Sequence, residues 1–156
     1  MKQDSSDFPD GFELPPYPYV PGRGPKYSDT DYSFRAFHAS VTPDLCHETL
    51  GQTLAFRAGR AFFDAGFYWE CYHVLDPVWM QTKDPSPERD MLLAFIQLAN
   101  ARLKLRSGSP AAAWRLCDMV EAHLSRCPTD KDILGMQVSD LMDETEATRK
   151  LAKSRM

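Results

Sequence analysis

The stretch Gly66-Phe-Tyr-Trp-Glu-Cys-Tyr-His-Val-Leu-Asp-Pro-Val-Trp79 decides how the chain is read. It holds Glu70, His73 and Asp76 at three-residue steps inside an otherwise aromatic and apolar run. On a helix, such steps stack on one face, so an acid, an imidazole and an acid share a stripe flanked by Trp69, Tyr72 and Trp79. Polar groups set among large apolar ones imply either a buried hydrogen-bond network or a small-molecule site. Gly66 ends the preceding helix, and the new one starts near Phe67. Pro77 inside it removes a backbone donor and clashes with the carbonyl of His73, which predicts a kink or break at 73–77.

Working outward, every signal from Thr42 onward is helical. Thr42-Pro43 reads as an N-cap and first turn, opening a helix to about Ala65 with Leu45, Leu50, Leu54, Phe56, Ala58 and Phe62 among its apolar positions. Beyond the central stretch, Lys83 to Pro87 is a loop. Ser86 and Pro87 then open a third helix that is apolar nearly all round from Met91 to Leu105, broken at its centre only by Gln97 and Asn100. Arg106 to Pro110 is a loop, and a fourth helix follows to about Arg126 with Ala113, Leu116, Val120 and Leu124 inward. Thr129 caps a short turn or helix through Leu134, Gly135 breaks it, and Ser139 caps a last helix. That helix is acidic early (Asp140, Asp143, Glu144, Glu146) and basic late (Arg149, Lys150, Lys153, Arg155), which complements the helix dipole.

The beginning of the chain differs in kind. Residues 1–35 carry six of the twelve prolines, and Leu14 to Pro25 reads as extended polyproline-like chain with a turn at Gly22. A flexible tail, a proline-rich ligand and an arm wrapped on the helices all fit. The density of aromatic residues, Tyr17 and Tyr19 among them, favours wrapping. The expected fold is therefore all-α: a single-domain bundle of about five helices over residues 42–156, preceded by an extended proline-rich arm over residues 1–41.

At 156 residues the chain can bury a real core, and 43% apolar with 26% charged residues is ordinary for a soluble globular protein. A net charge of -4 gives no electrostatic reason to expect nucleic acid. No apolar run reaches the roughly 18 residues of a membrane span. Met1 to Asp10 is polar and acidic, unlike a signal peptide, so a cytoplasmic location is expected. Cys46, Cys71, Cys117 and Cys127 form no C-x-x-C pair and read as free, mostly buried thiols. His47-Glu48 begins like a zincin motif, but the next required histidine falls on Gly51.

Phe62 to Trp79, then Glu88-Arg-Asp with Ala94-Phe-Ile-Gln-Leu-Ala-Asn-Ala101, then Gly108, resembles the domain-of-unknown-function 309 family over about residues 55–127. That family's pattern is roughly Gly-x-Tyr-x-Glu-x-His-Glu-x-x-Glu-x-x-Trp, a loop ending in Arg-Asp, then Leu-Ile-Gln-Leu-Ala. The segment before the bundle resembles the Pro-Pro-Tyr-x-Tyr-Val-Pro-Gly-Arg-x-Pro-His run of the family's proteobacterial branch. The resemblance implies a small helical bundle and carries the family label "predicted metal-dependent hydrolase". Glu70 and Trp79 match the pattern directly, and Asp76 matches as a shorter acid. Tyr72-His73 stands where the family has His-Glu. His73 is therefore one position late, about 100° round a helix, and Lys26 stands where the arm has His.

Four readings of the site follow. In a metal site, Glu70, His73 and Asp76 would be the ligands, joined by one from elsewhere such as His38 or His47, since three ligands on one helix at single-turn spacing rarely converge. In metal-free catalysis, His73 would be a general base oriented by Glu70 or Asp76. In a structural network, Glu70, His73, Gln97 and Asn100 would pair across the second and third helices. In a binding or scaffold module, a polar pocket between those helices, edged by Tyr72, Trp79, Gln97, Asn100, Arg23 and Arg89, would hold a small molecule or anion. The expectation is the binding or scaffold module, a bacterial-type helical protein with no cofactor and no bound metal, and with neither nucleic acid nor membrane as partner. A homo-oligomer is left open. The metal-dependent hydrolase stands second, on family analogy alone.

Overall fold

The computed structural model describes residues 13–156, so the acidic start at Met1 to Asp10 lies outside the described residues. Among them the chain forms seven helices: α1 (Arg35–Ala39), α2 (His47–Leu50), α3 (Leu54–Ala65), α4 (Tyr68–Trp79), α5 (Pro87–Arg106), α6 (Pro110–Leu124) and α7 (Val138–Ser154). The only β pairing among these residues is an isolated bridge between Ile133 and Met136, so the fold is all-α. None of these helices is long and apolar enough to cross a membrane. Backbone contacts group the chain into two compact units, one ending at Gln81 and one from Thr82 to Met156, a different grouping from the compositional division at residues 41 and 42.

In the first unit the single helix expected from Thr42 to Ala65 is split. Thr53 is extended (φ −64°, ψ 152°) and caps α3 by accepting the Phe56 N–H at 3.1 Å. Ser40 Oγ accepts the Ala55 N–H at 3.0 Å. Two of the donors that a helix start leaves unpaired are thus met by side chains, which makes Leu54 a stable beginning. A further short helix, α1, lies inside the stretch taken as extended. The α3–α4 corner follows the local signal: Gly66 adopts φ 84°, its N–H reaches Phe63 O at 3.0 Å, and the Phe67 N–H reaches Phe62 O at 2.8 Å. This is the paired bonding of a left-handed glycine cap. The helices then pack closely at Gly59, where an added Cβ would lie 2.6 Å from Leu75 Cδ2. Of the kink or break expected at 73–77, the break does not occur: α4 runs unbroken through Pro77 to Trp79. Only two helical residues follow the proline, so the lost backbone bond falls where the helix is ending.

The core of this unit is aromatic. Phe34, Phe37, Phe56, Phe62 and Phe67 are all buried, and the Phe37 and Phe62 rings meet edge to face at 5.8 Å. Fully buried Cys71, Val74, Leu75 and Val78 form the inner side of α4.

In the second unit Ser86 caps α5 by accepting the Arg89 N–H, with Pro87 in the first turn as the sequence indicates. Gly108 (φ 82°) turns the chain into α6. Ala101, Leu105, Ala113, Cys117 and Ala152 form a core of mostly small side chains among α5, α6 and α7. The segment expected as a turn or short helix from Thr129 is a turn closed by the Ile133–Met136 bridge, with Leu134 (φ 55°) and Gly135 (φ 73°) both left-handed. The last helix is capped two residues earlier than the expected Ser139, at Gln137, and starts at Val138, because the bridge delivers buried Met136 and Val138 to the core. Its charges do more than complement the dipole. Arg102 Nη2 bonds Glu144 Oε2 at 2.6 Å, while Arg149 bonds Asp118 at 2.5 Å and Glu121 at 2.9 Å and lies 4.6 Å from the centre of the Trp114 ring. Of the four cysteines, all free, Cys46 is exposed and Cys71, Cys117 and Cys127 are buried.

Candidate functional site

The stripe Glu70–His73–Asp76 exists on α4, but its members face different partners. Glu70 is fully buried. Its Oε2 accepts the Tyr27 hydroxyl at 2.7 Å and the Tyr19 N–H at 2.9 Å, both from the proline-rich segment, while Oε1 is buried with no hydrogen-bond partner. Asp76 Oδ1 accepts the Trp79 indole N–H at 2.8 Å, one turn on along the same helix. His73 makes no hydrogen bond to either acid among the described residues. Its ring stacks on Trp69, with centroids 4.7 Å apart and planes 14° apart. Phe34 meets it edge-on at 4.9 Å and His38 of α1 at 5.0 Å.

The aromatic surroundings set the electrostatics. Burial pushes the Glu70 carboxyl above its ordinary range, against the opposing effects of the Tyr19 N–H, the Tyr27 hydroxyl and the Lys26 charge. Burial, and after it the same acid, push both the Tyr27 and the Tyr32 phenols upward, so both stay protonated; Tyr27 donates to Glu70, while the buried Tyr32 hydroxyl has no hydrogen-bond partner among the described residues. His73 is held below the ordinary imidazole value, first by burial, then by His38 and Lys26, with Asp76 and Asp29 opposing. Lys26 Nζ lies 5.0 Å from the Tyr27 ring centre and 5.6 Å from that of Trp69, and 3.7 Å from Asp29. It donates to the Tyr27 carbonyl at 3.4 Å.

The remaining residues named from the sequence are dispersed. Tyr72 is half-buried on α4. Arg23 is exposed; with Tyr17, Pro18, Tyr19, Val20, Gly24 and Pro25 it lines a shallow groove of about 370 Å³ on the proline-rich segment, whose loop is closed by the Tyr17 hydroxyl donating to Pro25 O at 2.7 Å. Gln97, Asn100 and Arg89 belong to α5 in the second unit. Asn100 donates to Gln97 at 3.5 Å, and Arg89 Nε lies 3.7 Å from Asp84. Tyr27, as a partner of the buried acid, was not legible in the sequence, and the linear pattern could not show it: it lies 43 residues from Glu70. The one signal was the need for Tyr17 and Tyr19 to pack somewhere.

The donors do not fit the metal that the family label implies. Glu70 Oε2 is taken by two donors, Asp76 by an indole, and His73 points at aromatic rings and a second imidazole. Among the described residues no three His, Cys, Asp or Glu side chains come together to hold an ion. What the geometry defines is a helical protein whose central acid fastens an extended segment against an aromatic helix. Residues 56–116, from α3 into α6, match the family model described as Domain of unknown function (DUF309). No curated protein and no solved structure matches the chain.

Proposed function

We infer that the protein is a binding module in which the proline-rich segment, fastened to α4 through Glu70, frames a polar site for a small molecule or anion around His73. The observation that carries this reading is the state of Glu70: fully buried, with Oε2 accepting both the Tyr27 hydroxyl and the Tyr19 N–H. A carboxylate held this way is a fastener. It makes no hydrogen bond to His73 among the described residues, which supports a fastening role over orienting that imidazole as a general base. These bonds support a polar site on the segment carrying Arg23 and Lys26, with His73, Trp69 and Tyr72 contributed by α4.

The hydrolase reading needs Glu70, His73 and Asp76 on one ion. Elemental analysis of protein purified without a metal-affinity tag separates the two. The binding reading expects no stoichiometric zinc, iron or manganese. It also expects Glu70→Ala to speed proteolysis within residues 17–25 while the helical circular dichroism persists. Stoichiometric metal, lost on His73→Ala with the fold intact, would overturn it.

A further inference from the structure

We propose that Lys26, His38 and His73 form a site for a phosphate-type oxyanion beside the Trp69–His73 stack. The proposal rests on the binding-module reading above and names the class of ligand that the module takes.

The three basic side chains come from three separate stretches, the proline-rich segment, α1 and α4, and each lies against His73 or against the Trp69 ring on which His73 stacks. The His38 and His73 rings lie 5.0 Å apart, His73 lies against Trp69, and Lys26 Nζ sits 5.6 Å from the centre of the same indole. Neither imidazole has a hydrogen-bond partner among the described residues. His38 is exposed and His73 half-buried, so among the described residues no protein group competes with a ligand for their ring nitrogens. Two imidazoles side by side, near an ammonium and bonded to no described protein group, are therefore free to donate to a bound acceptor in place of water.

The charges around His73 decide the sign of that acceptor. Facing it are Lys26 and Asp29 of the proline-rich segment, His38 of α1 and Asp76 of its own helix. Asp76 is occupied by the Trp79 indole. Asp29 is 96% exposed, so water screens its charge. His38 and Lys26 outweigh both acids in disfavouring a proton on His73, and the field that repels a proton attracts an anion. The same field counts against a metal cation, which would also find only two nitrogens converging. A tetrahedral oxyanion suits donors arriving from three directions, because it presents several acceptor oxygens where a carboxylate presents two. The indole and Phe34 shield one side of the group, which strengthens the attraction by excluding water.

Isothermal titration of the full chain with inorganic phosphate, sodium acetate and zinc chloride at pH 6.5 and low salt tests the site. Lys26→Met keeps the aliphatic stem on Trp69, and His38→Gln keeps a polar group on an exposed position; both are read together with circular dichroism, and Arg115→Ala on α6 serves as the control. The expected result is saturable phosphate binding at least tenfold tighter than acetate. It should be weakened at least tenfold by Lys26→Met and by His38→Gln with the fold unchanged, and unaffected by Arg115→Ala. Phosphate binding that survives both variants within twofold would overturn the proposal, as would zinc binding that depends on His38 and His73 in the absence of phosphate. Acetate binding that responds to the variants, without phosphate binding, would overturn the ligand class and leave the binding-module reading standing. No binding of any of the three probes overturns the anion site, and the binding-module reading then stands or falls on the metal analysis and the Glu70→Ala proteolysis.

Discussion

Glu70 carries an uncommon load for one side chain: one carboxylate oxygen takes two donors from distant parts of the chain, and the other is buried with none. Removing it should be costly, because Tyr27 is left with a hydroxyl in a dry core. Glu70→Ala is expected to cost about 2–4 kcal/mol, combining lost bonds to a charged acceptor with the cavity. Glu70→Gln keeps the acceptor and should cost about 1 kcal/mol. The pair also predicts a pH dependence. Burial raises the carboxyl above its ordinary 4.5, so the folded state favours the protonated form. The stability of the wild type relative to Glu70→Gln should therefore be greatest at or below pH 4.5 and fall as pH rises above it. Urea unfolding of both proteins at pH 4.5 and pH 8 measures this, and a flat difference would show a carboxyl that is not desolvated. The position of Glu70 as a polar residue on an apolar helix was legible in the sequence. Its partners, 43 and 51 residues away, were not, because no periodicity links an extended segment to a helix.

Between elements, the closest approach is Gly59 on α3 against Leu75 on α4. Gly59→Ala should gain about 1 kcal/mol of helix propensity and lose about 1–3 kcal/mol to overpacking, since Leu75 is fully buried and has nowhere to go. A net loss of up to about 2 kcal/mol is expected. In combination with Leu75→Ala the penalty of Gly59→Ala should largely vanish, which a double-mutant cycle by chemical denaturation will show. In the second unit Arg149 ties α7 to α6 through two carboxylates and the Trp114 ring. Asp118 and Glu121 are 65% and 42% exposed, so solvent screening weakens these pairs. Arg149→Ala should cost about 1–2 kcal/mol, and Arg149→Lys should recover less than half, because an ammonium cannot fork between two acids or stack as a plane. Element boundaries show where sequence signals compete. Gly66, Ser86 and Gly108 acted as their local chemistry indicates. The split before α3 depended on Ser40 reaching a helix start fifteen residues on, which propensity does not register.

Across the molecule, the family match runs from residue 56 to residue 116 and so includes residues of both compact units. The donor geometry predicts that chelation is without effect on the whole protein: dialysis against EDTA should leave the melting temperature unchanged, and a fall of several degrees would reveal a structural ion. The chain by itself determined the all-α class, four of the five long helices to within a few residues, the resemblance that the family-model match at residues 56–116 supports, and Glu70, His73 and Asp76 as the polar stripe of α4. These follow from local propensity, capping and the periodicity of apolar residues, which act within a few turns of chain. Only the tertiary structure decided what the stripe does. It sent Glu70 to Tyr19 and Tyr27, Asp76 to Trp79, and His73 to Trp69 and His38, because burial in an aromatic core obliges each polar group to take whichever partner the packing brings within reach.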